Sequence, residues 1–273
     1  MKLLVTICLC LASFPVIAEA QHPRTQAPLT RGQTKEAERA LADMGYWTGP
    51  VDGVFDNASR SALIAFQKWE GRPATGNLTS EELAALRAGR SPKGRETGYA
   101  HVEVDLDRQV LMLVSDDGSA RILPVSTGND KFFEAEGQNS IAYTPRGRFL
   151  VYDKETGWGT GPLGAMYYSN FISGGVAIHG SRSVPTAPAS HGCIRVPMFA
   201  ARELSRLMPL GTIVLVYDKV SFVSAREWVV NPKLKEAALS ASASEDYTYQ
   251  AEPTQTRPRI VVTKKTRSRI NRA

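Results

Sequence analysis

The apolar positions of this chain change period along its length. From Leu3 to Ala18 they run almost unbroken behind Met1-Lys2. The run ends at Ala18-Glu19-Ala20, a small-x-small step, so residues 1–20 read as a secretory signal cleaved before Gln21. A retained anchor is the alternative, although the run is shorter than the ~20 residues a membrane span needs. Residues 34–88 then carry helical spacing. A first helix covers 34–44, a Gly/Pro-rich turn covers 45–50, and a second helix covers 57–70, with Ala62, Phe66 and Trp69 on one buried stripe at i, i+4 and i+7. A third helix opens at Thr79, where Thr79-Ser80-Glu81-Glu82 has the form of a capping box and Leu83 and Leu86 face inward. So short a module makes a thin core, and Trp47, Phe55, Phe66 and Trp69 are read as filling it rather than as a ligand platform.

Residues 89–98 have no period and read as a linker. After them the pattern alternates, predicting strands over 102–106, 110–114, 121–125, 148–152, 175–179 and 212–217, interrupted by one helix over 197–208. Many short strands with few helices predict a mainly β domain over 99–218, a mostly antiparallel sandwich or barrel, beside a small N-terminal three-helix domain. From residue 231 to 273 Ala/Ser/Glu-rich and then Thr/Pro/Arg-rich sequence predicts a disordered tail.

The chain of 273 residues carries 33 Lys+Arg against 27 Asp+Glu, a net charge of +6. Seven basic residues and one acid fall after residue 250, so the excess belongs to the tail and the folded part is close to neutral. That excludes a basic fold built to grip nucleic acid, whose charge would line the folded surface. The tail is read either as an electrostatic tether to an anionic envelope surface or as solvated chain without a partner. Cys8 and Cys10 lie in the signal, so the mature chain keeps a single cysteine, Cys193. In an oxidising compartment such a thiol is either buried and inert or reactive.

Candidate chemistry concentrates in Ala177-Ile178-His179-Gly180-Ser181 and Ser190-His191-Gly192-Cys193-Ile194-Arg195. An imidazole near a thiol takes its proton and later returns it to a leaving amine. Glycine beside the nucleophile lets backbone N–H groups turn toward a developing oxyanion. Arg195 suits a bidentate contact with a substrate carboxylate, and in a strand it would face the same side as Cys193. Of the two histidines, His179 ends an apolar strand that presents it to a cleft, whereas His191 reads as the structural one, fixing the turn. Zinc ligation by His179, His191 and Cys193 is the competing reading, with no fourth ligand apparent.

These segments resemble the active-site signature of the L,D-transpeptidases, the YkuD-type catalytic domain. The likeness extends to Val102-Glu103-Val104-Asp105-Leu106, Gln109-Val110-Leu111, Pro124-Val125-Ser126-Thr127-Gly128 and Thr144-Pro145-Arg146-Gly147-Arg148-Phe149, with residues 130–141 as an insertion. In the helical module, Ala40 to Trp47, Val51-Asp52-Gly53-Val54-Phe55, Ala65-Phe66-Gln67 and Thr75-Gly76-Asn77-Leu78 resemble a peptidoglycan-binding module, with Asp56 and Ser59 where that family usually has Gly and Thr. The resemblance implies a periplasmic enzyme without cofactor or metal. Cys193 would attack the carbonyl between diaminopimelate and the terminal D-alanine of a tetrapeptide stem, with His179 as base and then acid. Gly180 would orient the imidazole through its carbonyl, while Ser190, His191, Gly192 and Cys193 would build the oxyanion support. Arg195 and Tyr167, or Tyr168, would contact substrate. The acyl group would pass to a diaminopimelate amine of peptidoglycan or to a lipoprotein lysine. A hydrolase using the same acyl-enzyme, and a non-catalytic wall-binding protein, are the alternatives.

Overall fold

The computed structural model describes residues 28–221 except residue 136. The signal segment at 1–20 and the tail at 231–273 lie outside the described residues. Three helices open the described chain: α1 (Arg31–Asp43), α2 (Asn57–Trp69) and α3 (Ser80–Ala88). α1 begins earlier than its apolar spacing predicts because Thr30 and Gln33 form a capping box. Asp56, one of the two departures from the module's pattern, caps α2 by accepting from the N–H groups of Ala58 and Ser59. Ser59, the other, donates to buried Glu38, whose carboxylate also accepts from the N–H groups of Asp52 and Gly53. At α3 Thr79 accepts from the Glu82 N–H, while the Glu82 carboxylate turns to Arg72.

The rest is mainly β. One five-stranded sheet has the order β3 (Ala120–Pro124), β2 (Val110–Val114), β1 (His101–Asp105), β12 (Ile213–Tyr217), β6 (Gly147–Leu150). The second has the order β11 (Ile194–Pro197), β10 (Val176–Ser181), β9 (Gly164–Ser173), β7 (Asp153–Lys154), with β8 (Trp158–Gly161) also paired to β9. A separate hairpin, β4 (Phe132–Ala135) with β5 (Gln138–Ile141), forms in the insertion. The strands β4, β5, β7, β8, β9 and β11 went unpredicted. Helix α4 (Met198–Leu207) packs on β9, β10 and β11. Between the sheets one core gathers Val102, Val104, Leu111, Leu123, Val214 and Val216 with Ile172, Ile178, Ile194, Val196 and Leu204. Pairing is mostly antiparallel, as the alternation predicts, with two exceptions: β1 runs parallel to β12, and β10 parallel to β11.

The first sheet is buried on both faces. Its outward residues Val110, Met112, Val114 and Ile122 join Leu41, Leu63, Phe66, Leu83 and Leu86 in a second core. The helices therefore do not rest on a thin core of their own; they borrow the outer face of β2 and β3. Phe66 is fully buried in that core, while Phe55 and Trp69 pack at its edge and Trp47 lies against the inter-sheet core. Gly45 makes the junction: its carbonyl accepts from the Ile122 N–H at 2.9 Å and brings the turn against β3, and at φ +91° a Cβ would sit 2.3 Å from the Ala120 carbonyl oxygen. Residues 89–98, expected as a linker, lie over the same sheet. The Glu96 N–H donates to Glu103, Glu96 pairs with Arg148 at 2.9 Å, and Arg95 stacks on Tyr217.

Candidate active site

The site is made by the parallel pairing of β10 and β11. A two-residue turn joins antiparallel strands; a parallel neighbour requires a long connection. Residues 182–193 are that connection, and they return the chain to the start of β10, where Ile178 pairs with Ile194 and His179 with Arg195. Cys193 therefore sits immediately before β11, beside the strand that carries His179. Both side chains line one cavity of about 960 Å³, together with Arg195, Ser190 and His191.

His179 is 5% exposed, and its Nδ1 lies 3.0 Å from the Gly180 carbonyl oxygen. A carbonyl only accepts, so Nδ1 carries the proton and Nε2 keeps its lone pair. Burial pushes the imidazole below its ordinary value of 6.5, outweighing the opposite pull of the Gly180 carbonyl, and the positive charge of Arg195 adds to the decrease. Burial likewise pushes the Cys193 thiol above its ordinary value of 9.0, against the pull of the Ala177 backbone and of Arg195. The resting pair is a neutral imidazole and a neutral thiol. It is a base poised to take a proton, not a preformed ion pair.

The loop before Cys193 is held from three sides. Ala189 and Ser190 both donate their N–H groups to the Thr127 carbonyl at 2.9 Å. Ser190 Oγ donates to the Cys193 carbonyl at 2.6 Å and accepts from the Gly192 N–H at 3.1 Å. Thr144, fully buried, accepts from the Gly128 N–H at 2.8 Å and donates to the Gly192 carbonyl at 2.7 Å. Gly192 is at φ +136°, and a Cβ there would lie 2.8 Å from the Tyr143 carbonyl oxygen. That position requires glycine.

The YkuD L,D-transpeptidase catalytic domain model matches residues 99–216, and the peptidoglycan binding domain model matches residues 30–86. The crystal structure of an L,D-transpeptidase, residues 123–326, from Xylanimonas cellulosilytica is 40% identical, with a TM-score of 0.66 over 72% of this chain and 100% of that chain. The chain belongs to the L,D-transpeptidase family. An L,D-transpeptidase structure from Stackebrandtia nassauensis is 23% identical, covering 67% of this chain and 90% of that one at a TM-score of 0.40. Localization factor PodJL of Caulobacter vibrioides is 44% identical over 50 residues, 18% of this chain; the chain spans only 5% of the length of that curated relative.

Within this family fold, the geometry brings together Cys193, His179, Gly180, Ser190, Gly192 and Arg195. Three sequence expectations change. His191 does not fix the turn: its ring is exposed and packs on Phe133 of the β4–β5 hairpin, 4.5 Å between centroids, while Thr127, Thr144 and Ser190 hold the loop. The Gly192 N–H, expected as an oxyanion donor, is taken by Ser190 Oγ, which leaves the N–H groups of His191 and Cys193 without partners among the described residues. Tyr167 packs against Trp158, Tyr168 and the backbone of Gly180 instead of lining the cavity; Met166 and Trp158 line it. Among the described residues no three His, Cys, Asp or Glu side chains gather as a cation site. Thr144 went unassigned by sequence reasoning. The Thr-Pro turn was visible, but a hydroxyl that reaches residue 192 is a tertiary fact.

Proposed function

We propose that the protein is a periplasmic L,D-transpeptidase that remodels peptidoglycan through a Cys193 acyl-enzyme. The observation that supports this reading is the half-buried Cys193 thiol in one cavity with a neutral His179, whose Nδ1 is held by Gly180 so that Nε2 is free to act as base. His179 Nε2 takes the thiol proton as Sγ attacks the peptide carbonyl between diaminopimelate and D-alanine of a tetrapeptide stem. The His191 and Cys193 N–H groups receive the oxyanion. As the intermediate collapses, the C–N bond breaks and the imidazolium gives its proton to the departing amine of D-alanine, leaving a thioester. An acceptor amine then attacks the thioester, loses a proton to His179, and expels the thiolate, which regains the proton. A diaminopimelate amine yields a 3–3 crosslink; a lipoprotein lysine yields an anchor.

The helical module places the enzyme at the wall, and the signal segment delivers it there. Incubation with purified muropeptides tests this reading. The expected products are crosslinked dimers and free D-alanine, both lost in Cys193→Ala. Trimmed monomers alone would establish the hydrolase instead, and no product with the unaltered protein would overturn both enzymatic readings.

A further inference from the structure

The cavity beside Cys193 has an unbalanced charge. Its charged lining residues are Arg182 and Arg195, and no Asp or Glu lines it. Arg195 stands on the floor, its backbone locked in both directions to Ser126 at 3.0 and 3.2 Å. Arg182 stands at the rim, just beyond β10, and is positioned by two devices. Ser181 Oγ donates to the Ser183 carbonyl at 2.9 Å and accepts from the Ser183 N–H at 3.2 Å, which closes a tight turn with Arg182 at its apex. The guanidinium then lies 5.0 Å over the ring of Trp158. That indole is itself fixed, because β8 pairs Trp158 with Tyr167, the two rings pack 5.0 Å apart, and Tyr167 is wedged against Gly180.

An arginine stacked on an aromatic face keeps its edge N–H groups free for a planar anion. Elsewhere in the fold Arg72, Arg146 and Arg148 satisfy those groups with Glu82, Asp130, Asp218 and Glu96. Arg182 has no hydrogen bond or ion pair among the described residues. Arg182 follows His179 by three residues, along the end of β10 and into the turn, roughly 10 Å at most, the span of up to three residues of a bound peptide. We propose that Arg182, presented by Trp158, is a specificity-determining residue that binds a free carboxylate of the donor stem peptide remote from the scissile bond, so that the enzyme discriminates against stems in which this carboxylate is amidated. The inference rests on the peptide acyl transfer proposed above and adds a substrate requirement to it.

The test measures D-alanine release from two synthetic stem tetrapeptides, one with its side carboxylate free and one carrying a carboxamide there. The unaltered protein is expected to prefer the free acid about five- to tenfold in kcat/KM, the range of one charge-assisted contact at a partly exposed rim. The preference should shrink as salt rises. Arg182→Gln is expected to abolish it by raising KM for the free acid alone, with Arg182→Lys intermediate because a point charge replaces the fork. A Cys193→Ala background, titrated calorimetrically with both peptides, should show the same preference in binding and its loss with Arg182→Gln. Equal turnover of both peptides by the unaltered protein, or a preference that survives Arg182→Gln, overturns the assignment while leaving acyl transfer intact. Absence of release from either peptide overturns the transferase reading, and the assignment with it.

Discussion

Lys68 offers a prediction in which the sign, and not only the size, of an effect is at stake. It lies on α2 but reaches into the β domain, where its ammonium donates to the carbonyls of Val125 at 2.8 Å and Gln109 at 3.2 Å, with 8% of its surface exposed. Burial lowers its pKa from 10.5 to about 7. Folding therefore holds this proton less tightly than the unfolded chain does, by roughly 5 kcal/mol at most. The sign follows from the lowered value. The fold favours the neutral amine, so this group's contribution worsens as pH falls from about 10.5 toward about 7 and is constant below that. Lys68→Met fills similar space without the charge and leaves the Val125 carbonyl unpaired, which costs about 1–3 kcal/mol; the Gln109 carbonyl retains the Val125 N–H. The variant should then be less stable than the parent by about 1–3 kcal/mol near pH 10.5, and more stable by about 2–4 kcal/mol near pH 6. Urea unfolding of both proteins at fixed ionic strength across this range measures the difference directly, because every other titrating group is common to the two. Parallel stability profiles that never cross would refute the reasoning and place the Lys68 amine in water.

The acid limb of Cys193 acylation should lie below pH 6.5, because burial lowers His179 and the base is lost only when its imidazole is protonated; a limb above that value in a pH–rate profile of single-turnover acylation contradicts the geometry. Thr144→Val keeps shape but removes both hydroxyl contacts of the loop, and should cost about 1–3 kcal/mol in thermal unfolding and lower the acylation rate more than it changes KM. Gly180→Ala should destabilise by about 1–3 kcal/mol, since its Cβ would lie 2.5 Å from the Ala201 Cβ and force β10 from α4; an unchanged melting temperature would show that this packing is loose. His101 is raised despite the cost of its burial, because Glu103 at 3.0 Å and the Tyr99 carbonyl hold its proton; its contribution is full below the ordinary value of 6.5 and fades as pH rises through the folded one. Glu103→Gln should flatten that part of the stability profile, and a profile identical to the parent's would refute the pairing.

Much of the fold was legible because its signals are local. The i, i+4, i+7 stripe at Ala62, Phe66 and Trp69, the cap at Thr79, and the alternation at Val102, Val104 and Leu106 are fixed by neighbours a few residues away. The strands that escaped notice lack such signals. β9 reads Gly-Ala-Met-Tyr-Tyr-Ser-Asn-Phe-Ile-Ser, polar and apolar mixed, because β10 lines one edge of it while β8 and then β7 pair with successive stretches of the other, so its environment changes along its length. The same limit applies to residues 89–98. Their lack of period is real, yet Glu96 and Arg95 cover a sheet face whose own buried residues, His101 and Glu103, are polar and so look like a solvent face in sequence.

The chain by itself singled out the candidate chemistry: one cysteine outside the N-terminal apolar run, a histidine ending an apolar strand, and glycines beside both. Those are properties of residue types and short spacings, and they survive any arrangement of the rest. Only the tertiary structure decided how those atoms are disposed. The parallel return of residues 182–193 puts Cys193 beside the strand of His179. The Ser190 hydroxyl takes up the Gly192 N–H, and a threonine 48 residues upstream holds the loop before Cys193. Burial then leaves the thiol and imidazole neutral. Hydrogen bonding and desolvation depend on what surrounds a group in space, and sequence separation carries almost no information about that.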